Sequence, residues 1–507
     1  MSAGTPQTPT AVLPKGFQYG YATAAWQIEG GSKEDGRGPC VWDDFASIPG
    51  AIHDGATGET AVDSYHLWRD DVKVLTELGA TAYRFSISWS RVIPLGGRND
   101  PINDMGLEYY SNLVDALLDA GIAPYVTLFH WDLPSALEKR YGGWSNSDEV
   151  TKDFDRLARV IFAHLGDRVK HWITLNEPFI ILRNSSRGVK PNFDWKLDTW
   201  RKEMTMNKRI PRAMVLAHAR AVKAYRDDFQ VTQGGDIGIC LVSSAIPTTL
   251  ALASRNATDR WSENCDWFEP LGDDPLGPIA CQARRDTYLG MYADPIYLGH
   301  FPQLCKDTAG GRLQDFSPDE WAIVQGSSDC FYLNTYSTHW LTGEPLTDHT
   351  AEMYGGYLST QFDAAGKVIG KPGEPGHLKM VPWGFRKIIQ YLQDKYLGPT
   401  GTPLIISENG FAPAGEHMKR LPDVLQDDQR IEYFQGYLGQ MVEAVLKDGI
   451  DIKGYFAWSL LDNLEWAGGF RPTYGSVYVD RNDGCKRYIK QSGFYLREYF
   501  RSAVKRE

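Results

Sequence analysis

The sequence predicts an α/β protein: a single (β/α)8 barrel with extended loops over the face at the C-terminal ends of its strands. Three observations point there. Eight short, nearly continuous apolar runs are spaced along the chain. Stretches with apolar residues at helical spacing lie between most of them. No Gly-rich phosphate fingerprint follows the first run, which weighs against an open, doubly wound sheet of similar strand count. Continuous apolar runs are what parallel strands need when both faces are buried. Alternation kept up through 507 residues fits one large barrel.

Each element follows from its residues. The start of the chain, residues 1–13, is rich in Thr, Pro and Ala and reads as a flexible arm, with one barrel domain over 14–507. The runs Gln18–Ala25, Tyr83–Trp89, Pro124–His130, His171–Glu177, Ile237–Ser244, Phe331–Ser337, Pro403–Asn409 and Ile452–Leu461 predict the strands. Helices are predicted over Tyr65–Leu78, stopping at Gly79, and over Leu107–Ala120, stopping at Gly121. Further helices are predicted over Val150–Leu165, Ile210–Phe229, Trp383–Tyr396, Asp428–Lys447 and Tyr488–Phe500. The stretches from Ser244 to Phe331 and from Ser337 to Trp383 are rich in Pro, Gly and aromatic residues. They read as large loops over the barrel mouth, not as further domains.

Composition narrows the function. There are 53 Lys and Arg against 64 Asp and Glu, a net charge of −11 with no basic block. Phosphate neutralisation, and with it nucleic-acid binding, is not expected. The first residues lack the charge and apolar core of a signal peptide, and no stretch approaches the roughly 18 apolar residues of a membrane span. A cytoplasmic location is therefore expected, which would make the sequons at Asn184 and Asn256 irrelevant. The seven cysteines are scattered without a C-x-x-C pair, so neither a zinc site nor a disulfide framework is expected. Sixteen tryptophans supply core, and flat amphipathic rings are also what a sugar-binding cleft needs.

In such a barrel, chemistry sits at the C-terminal strand ends. Those ends carry His130-Trp131-Asp132, Asn176-Glu177-Pro178, Asn334-Thr335-Tyr336, Glu408-Asn409-Gly410 and Trp458. Glu177 and Glu408 each close an apolar strand just before a chain breaker. A carboxyl there points into the mouth and is costly unless used or paired. Two carboxyls facing one cavity can divide acid and base roles.

Six ordered blocks carry a family resemblance. Thr174-Leu-Asn-Glu-Pro178 and Ile406-Ser-Glu-Asn-Gly410 resemble the acid/base and nucleophile signatures of glycoside hydrolase family 1, the retaining β-glucosidases. Phe17 to Gly30, Arg84 to Arg91, Phe129 to Pro134 and Ala457 to Trp466 resemble further blocks of that family, most of all its fungal intracellular members. The resemblance implies that Glu408 is the nucleophile and Glu177 the general acid/base, about 5–5.5 Å apart as in retaining enzymes. It implies that Arg84 and Tyr336 hold Glu408 ionised, that Asn334 supports the pair, and that Asn176 donates to the sugar 2-hydroxyl. It places Gln27, His130, Trp131, Glu465 and Trp466 on the other sugar hydroxyls, Trp458 beneath the ring and Tyr474 near the sugar's C6. A negative Glu408 is expected to keep Glu177 protonated until esterification removes that charge.

The implied reaction is hydrolysis of terminal non-reducing β-D-glucosyl residues from cello-oligosaccharides or other small glucosides, as in cellulose degradation. Side activity on β-galactosides and β-fucosides and transfer to alcohols are also implied. The carboxylate of Glu465 is expected to repel a 6-phosphate, and an intact Glu177 favours O-glycosides over thioglucosides. No metal or organic cofactor, nucleic acid or membrane is implied. Departures from the family pattern fall at Phe179, Thr335 and the loop 180–188, expected beside the leaving group, and at Ser407 and Tyr474. The alternative is a catalytically silent sugar-binding protein on the same fold. It predicts damage to a catalytic glutamate or to the sugar contacts, and the sequence carries none.

Overall fold

The apolar runs form the strands, and their order in the chain is their order around the barrel. A computed structural model describes residues 10–185, 209–242, 267–346 and 355–505. The barrel strands are β1 (Gln18–Ala22), β2 (Ala82–Ser86), β3 (Ala123–Phe129), β4 (His171–Asn176), β5 (Asp236–Val242), β6 (Phe331–Asn334), β7 (Leu404–Asn409) and β8 (Ile452–Trp458). Each pairs in parallel with the next, and β8 pairs with β1 to close the ring. Closure removes every edge of the sheet. It also aims all eight strand ends at one mouth, which is what brings residues hundreds of positions apart into one site.

Helices ring the barrel: α1 (Ser64–Glu77), α2 (Asp104–Asp119), α3 (Ser147–Leu165), α4 (Arg209–Asp228), α5 (Gly277–Arg285), α6 (Pro382–Leu392), α7 (Asp428–Lys447) and α8 (Gln491–Ala503). Helix α3 shows why they form. Asn146 caps it by accepting from the Glu149 amide, and Asp148 and Glu149 in the first turn complement the helix dipole. Its buried stripe of Val150, Phe154, Leu157, Ile161 and Leu165 recurs every three or four residues and packs inward. Among the described residues no helix is long and apolar enough to cross a membrane.

Buried ion pairs fix the long loops. Lys490 at the start of α8 donates to Asp462 at 2.9 Å and to Glu416 at 2.8 Å. This ties the loop after β8 to the loop after β7. At the other side of the mouth, Arg91 donates to Glu29 at 2.8 Å, and the Tyr110 hydroxyl donates to the same carboxylate at 2.6 Å.

Several expectations need correction. The arm expected to be flexible through residue 13 is docked at its end. The amides of Ala11 and Leu13 donate to the carbonyls of Ser502 and Ala503, both at 2.9 Å, and the Leu13 side chain is fully buried. Most strands stop short of the predicted ends, because their last apolar residues lie in buried loops. The final helix starts at Gln491 rather than Tyr488, which belongs to an antiparallel hairpin of Val477–Asp480 and Lys486–Ile489. The stretch after β5 is not all loop: helical segments run from Gly277 to Leu298. A small sheet joins Trp267–Pro270, Thr338–Pro345 and Tyr357–Thr360. Residues 243–244, Asn256 and Cys265 lie outside the described residues, and the other six cysteines are buried.

The β1–β2 contact demands a glycine. A Cβ on Gly20 would fall 1.8 Å from the carbonyl oxygen of Ala82 on the neighbouring strand. Gly20→Ala is therefore expected to lower stability by about 1–3 kcal/mol through overpacking. Urea denaturation checks it; an unchanged midpoint would show that the strands can separate freely here.

Candidate active site

Arg84, at the C-terminal half of β2, is the hub of the mouth. It is 1% exposed, and every nitrogen of its guanidinium has an acceptor. Nε donates to the Thr127 hydroxyl on β3 at 3.1 Å. Nη1 donates to Glu408 Oε1 at 2.6 Å and to the Ser407 carbonyl at 3.1 Å. Nη2 donates to Asn176 Oδ1 at 2.5 Å. A buried charge needs such compensation on all sides. One side chain thus joins β2 to β3, β4 and β7.

The second oxygen of Glu408 accepts from the Tyr336 hydroxyl at 2.5 Å. Burial pushes the Glu408 carboxyl above its ordinary value of 4.5, while Arg84, Tyr336 and Asn334 pull it back. Burial holds the Tyr336 proton in place far above the usual phenol range, with the Glu408 charge adding to the effect, so the hydroxyl stays a donor. Glu177 has different company. Its Oε1 accepts from the Asn334 amide at 2.7 Å. Its backbone is left-handed, φ 45°, a conformation uncommon for a residue with a side chain. The two carboxyls belong to one bonded cluster, in which Arg84 pairs with Glu408 and Asn334 donates to Glu177.

Asn176 orients His130. The Asn176 oxygen is occupied by donors from Arg84 and, at 3.1 Å, from Asn334, so its NH2 faces His130 Nε2 at 2.9 Å. Burial, with Arg84 nearby, pushes the His130 pKa well below its ordinary value, so the ring is neutral. Nε2 is then the acceptor, the hydrogen sits on Nδ1, and that atom has no hydrogen-bond partner among the described residues. It is a ready donor to a ligand.

A wall of rings surrounds this polar cluster. Trp466 stacks on Trp26 at 5.6 Å and lies 4.5 Å from Trp131. His130 stacks at 5.9 Å on both Trp458 and Trp466. Trp131 also donates from its indole to the Asn176 carbonyl at 2.9 Å. Gln27 donates to Glu465 and to Asn463, each at 3.0 Å. Tyr474 meets the Tyr336 ring edge-on at 6.1 Å. Rings and paired polar groups in one concave mouth suit a sugar, which offers apolar C–H faces and a rim of hydroxyls.

The structure therefore gathers Gln27, Arg84, His130, Trp131, Asn176, Glu177, Asn334, Tyr336, Glu408, Trp458, Glu465, Trp466 and Tyr474 around one mouth. Phe179 stands apart from the bonded cluster, packed on Tyr288 at 4.1 Å. Thr335 enters through its backbone, whose amide donates to the Glu408 carbonyl at 2.9 Å. The atypical stretch after Glu177 begins as a helix, Pro178–Ser185; residues 186–188 lie outside the described residues. Among the described residues no group of His, Cys, Asp or Glu is arranged to hold a metal ion.

Sequence reasoning missed Thr127, Cys240 and Asn463. Cys240 sits opposite Asn176 in the strand register and shares the polar layer. Taking the last polar or sulfur-bearing side chain of every strand, rather than only the carboxylates, would have found it.

Glu465 also needs a correction. Burial pushes its pKa up to about 8, the nearby Glu408 charge adding to this, and the Gln27 and Trp458 bonds oppose it. Its carboxyl is therefore largely protonated near pH 7, which weakens the expected charge repulsion of a 6-phosphate. The stronger obstacle is that, among the described residues, the groups acting on Glu465 include no cation to balance a phosphate.

A closed barrel whose mouth holds two buried carboxyls among amides and aromatic rings defines a class of carbohydrate-cleaving hydrolases. The chain matches the family model described as Glycosyl hydrolase family 1 over residues 9–269 and 260–504. It is 43% identical to beta-glucosidase 1B of Phanerodontia chrysosporium, over 97% of this chain and 86% of that protein. It is 37% identical to beta-glucosidase 42 of Arabidopsis thaliana, over 98% of this chain and 95% of that one. It is similar, with a TM-score of 0.88 and 40% identity, to the crystal structure of a family 1 beta-glucosidase from the fungus Humicola insolens in complex with glucose, covering 98% of this chain and 100% of the other. The chain belongs to glycosyl hydrolase family 1 and is a glycoside hydrolase.

The Glu465 shift sets a pH dependence. The folded state binds this proton between pH 4.5 and about 8, where the unfolded chain has lost it. Its contribution to stability therefore falls as pH rises through that window, with a limiting slope of about 1.4 kcal/mol per pH unit. Glu465→Gln is expected to flatten the stability curve there, as measured by urea denaturation at a series of pH values. An identical slope in the variant would contradict the assignment.

Proposed function

We propose that the chain is a retaining β-glucosidase acting by double displacement, with Glu408 as nucleophile and Glu177 as general acid/base. The observation that carries this reading is that two buried strand-end carboxyls share one bonded cluster, Glu408 paired with Arg84 and Glu177 joined to it through Asn334. The Arg84 cation favours the Glu408 anion needed for attack.

Glu408 attacks the anomeric carbon as Glu177 protonates the departing oxygen. The sugar is then an ester of Glu408. Loss of that negative charge makes Glu177 easier to ionise, and it takes a proton from the water that releases the sugar. Asn176, which has a second N–H beyond the one facing His130, serves the 2-hydroxyl. His130 Nδ1, Gln27 and Glu465 serve the other hydroxyls, with Trp458 under the ring. Tyr474 lies toward C6, and Phe179 and Thr335 toward the leaving group.

The substrates are terminal β-D-glucosyl residues of cello-oligosaccharides and other small glucosides. The names of the relatives and the glucose in the Humicola insolens structure support the choice of sugar. β-Galactosides differ from glucosides at C4 and β-fucosides at C4 and C6, and both would be secondary substrates. An alcohol that reaches the ester in place of water would accept the sugar.

Glu408→Ala is expected to lose more than about a thousand-fold in turnover of an aryl β-glucoside, as removal of a nucleophile does. Added azide should restore product as the α-glucosyl azide, because azide then enters the vacated face. Near-normal turnover in the variant, or a β-azide product, would contradict the proposal.

A further inference from the structure

Asn334 is an amide with every position taken, and what fixes it is a thiol. Its Oδ1 accepts from the Cys240 thiol at 2.9 Å, from the Ser407 hydroxyl at 2.8 Å and, more distantly, from Arg84 Nη1 at 3.4 Å. Its NH2 donates to Glu177 at 2.7 Å and to Asn176 at 3.1 Å. An amide flipped by half a turn would set its NH2 against these donors and its oxygen against the Glu177 carboxyl.

We infer that Cys240, together with Ser407, is a positioning residue for the acid/base: by holding the Asn334 oxygen, it turns the Asn334 NH2 toward Glu177. The inference rests on Glu177 being the acid/base. Cys240 touches no substrate position by this account and acts only through Asn334.

The chemistry of the site supports the role. Cys240 is fully buried on β5, level with Asn176 on β4. Burial pushes its pKa up to about 12, with Arg84 lowering it and the two glutamates raising it. It therefore remains S–H, and its hydrogen stays available for donation. Cys240 Sγ also lies 3.3 Å from the Ser407 hydroxyl, so the two donors form one contact. The titratable groups around Asn334 are Arg84 from β2, Glu177 after β4, Cys240 on β5, Tyr336 after β6 and Glu408 on β7. Of these, Glu177 takes the 2.7 Å hydrogen bond from the Asn334 NH2, and Asn334 also acts on Glu408.

A leaving-group series tests this. An aglycone such as 2,4-dinitrophenolate leaves without proton help, whereas an alkyl alcohol needs the acid. Cys240→Ala is expected to lower kcat/KM for alkyl β-glucosides about five-fold, the scale of one net hydrogen bond. The 2,4-dinitrophenyl glucoside should be nearly unaffected. Cys240→Ser keeps a donor and should recover most of the loss. Ser407→Ala should show the same leaving-group signature, and the double variant Cys240→Ala/Ser407→Ala a larger one. The basic limb of the kcat/KM profile should rise in pH, because a lost donor to an anion favours its protonated form.

Equal losses on both substrates, or no loss in the double variant, would overturn the inference. If Cys240→Ala does not fold, Ser407→Ala and Cys240→Ser carry the same comparison. Glu177→Ala, run in parallel, separates the two claims. A strong leaving-group dependence there with none in the Cys240 and Ser407 variants sinks only the positioning role. None in Glu177→Ala sinks the acid/base reading itself.

Discussion

A single buried guanidinium organises this molecule's mouth. Arg84 has almost no contact with solvent, so its charge must be balanced by protein groups. The partners it finds are Glu408, Asn176, Thr127 and the Ser407 carbonyl, drawn from three other strands. Barrel closure is what makes those strands reachable. Removing the cation would leave Glu408 buried and unbalanced, and would release the oxygen of Asn176 that sets the orientation of His130. The chemistry of the site and the closing of the sheet are therefore the same constraint seen from two sides.

The amides carry that order outward. Asn176 and Asn334 each present an oxygen to donors and an NH2 to acceptors, so the direction of every bond follows from Arg84, Cys240 and Ser407. The consequence is one neutral histidine with a free Nδ1 hydrogen and one carboxyl bonded to an amide. Preorganised polar groups of this kind need no rearrangement at the moment of reaction. The outer loops add shape. Lys490 fixes the loop bearing Glu465 and Trp466, and the packed indoles of Trp26, Trp466 and Trp131 wall the mouth.

Much of this was legible in the sequence, for physical reasons. Parallel strands buried on both faces leave long apolar runs, so all eight barrel strands could be located. A carboxylate at the end of such a run is conspicuous, and Glu177 and Glu408 stood out at once. What escaped notice had no such contrast. The segments from Gly277 to Leu298 and the small sheet around Thr338–Pro345 lie in loop-like composition, where pattern and burial diverge. Cys240 reads as one more apolar residue until the register sets it beside Asn176. The raised pKa of Glu465 depends on burial beside residues distant in the chain such as Gln27 and Glu408, which no local pattern encodes.

The central claim is that the charge on Glu408 governs the proton on Glu177. Carbon-13 labelling of the glutamate side chains allows Glu177 to be titrated by NMR in the free enzyme and after Glu408 is esterified with a 2-deoxy-2-fluoroglucosyl group. The account predicts that Glu177 gives up its proton at a clearly lower pH in the esterified enzyme. The same titration midpoint in both states would contradict it.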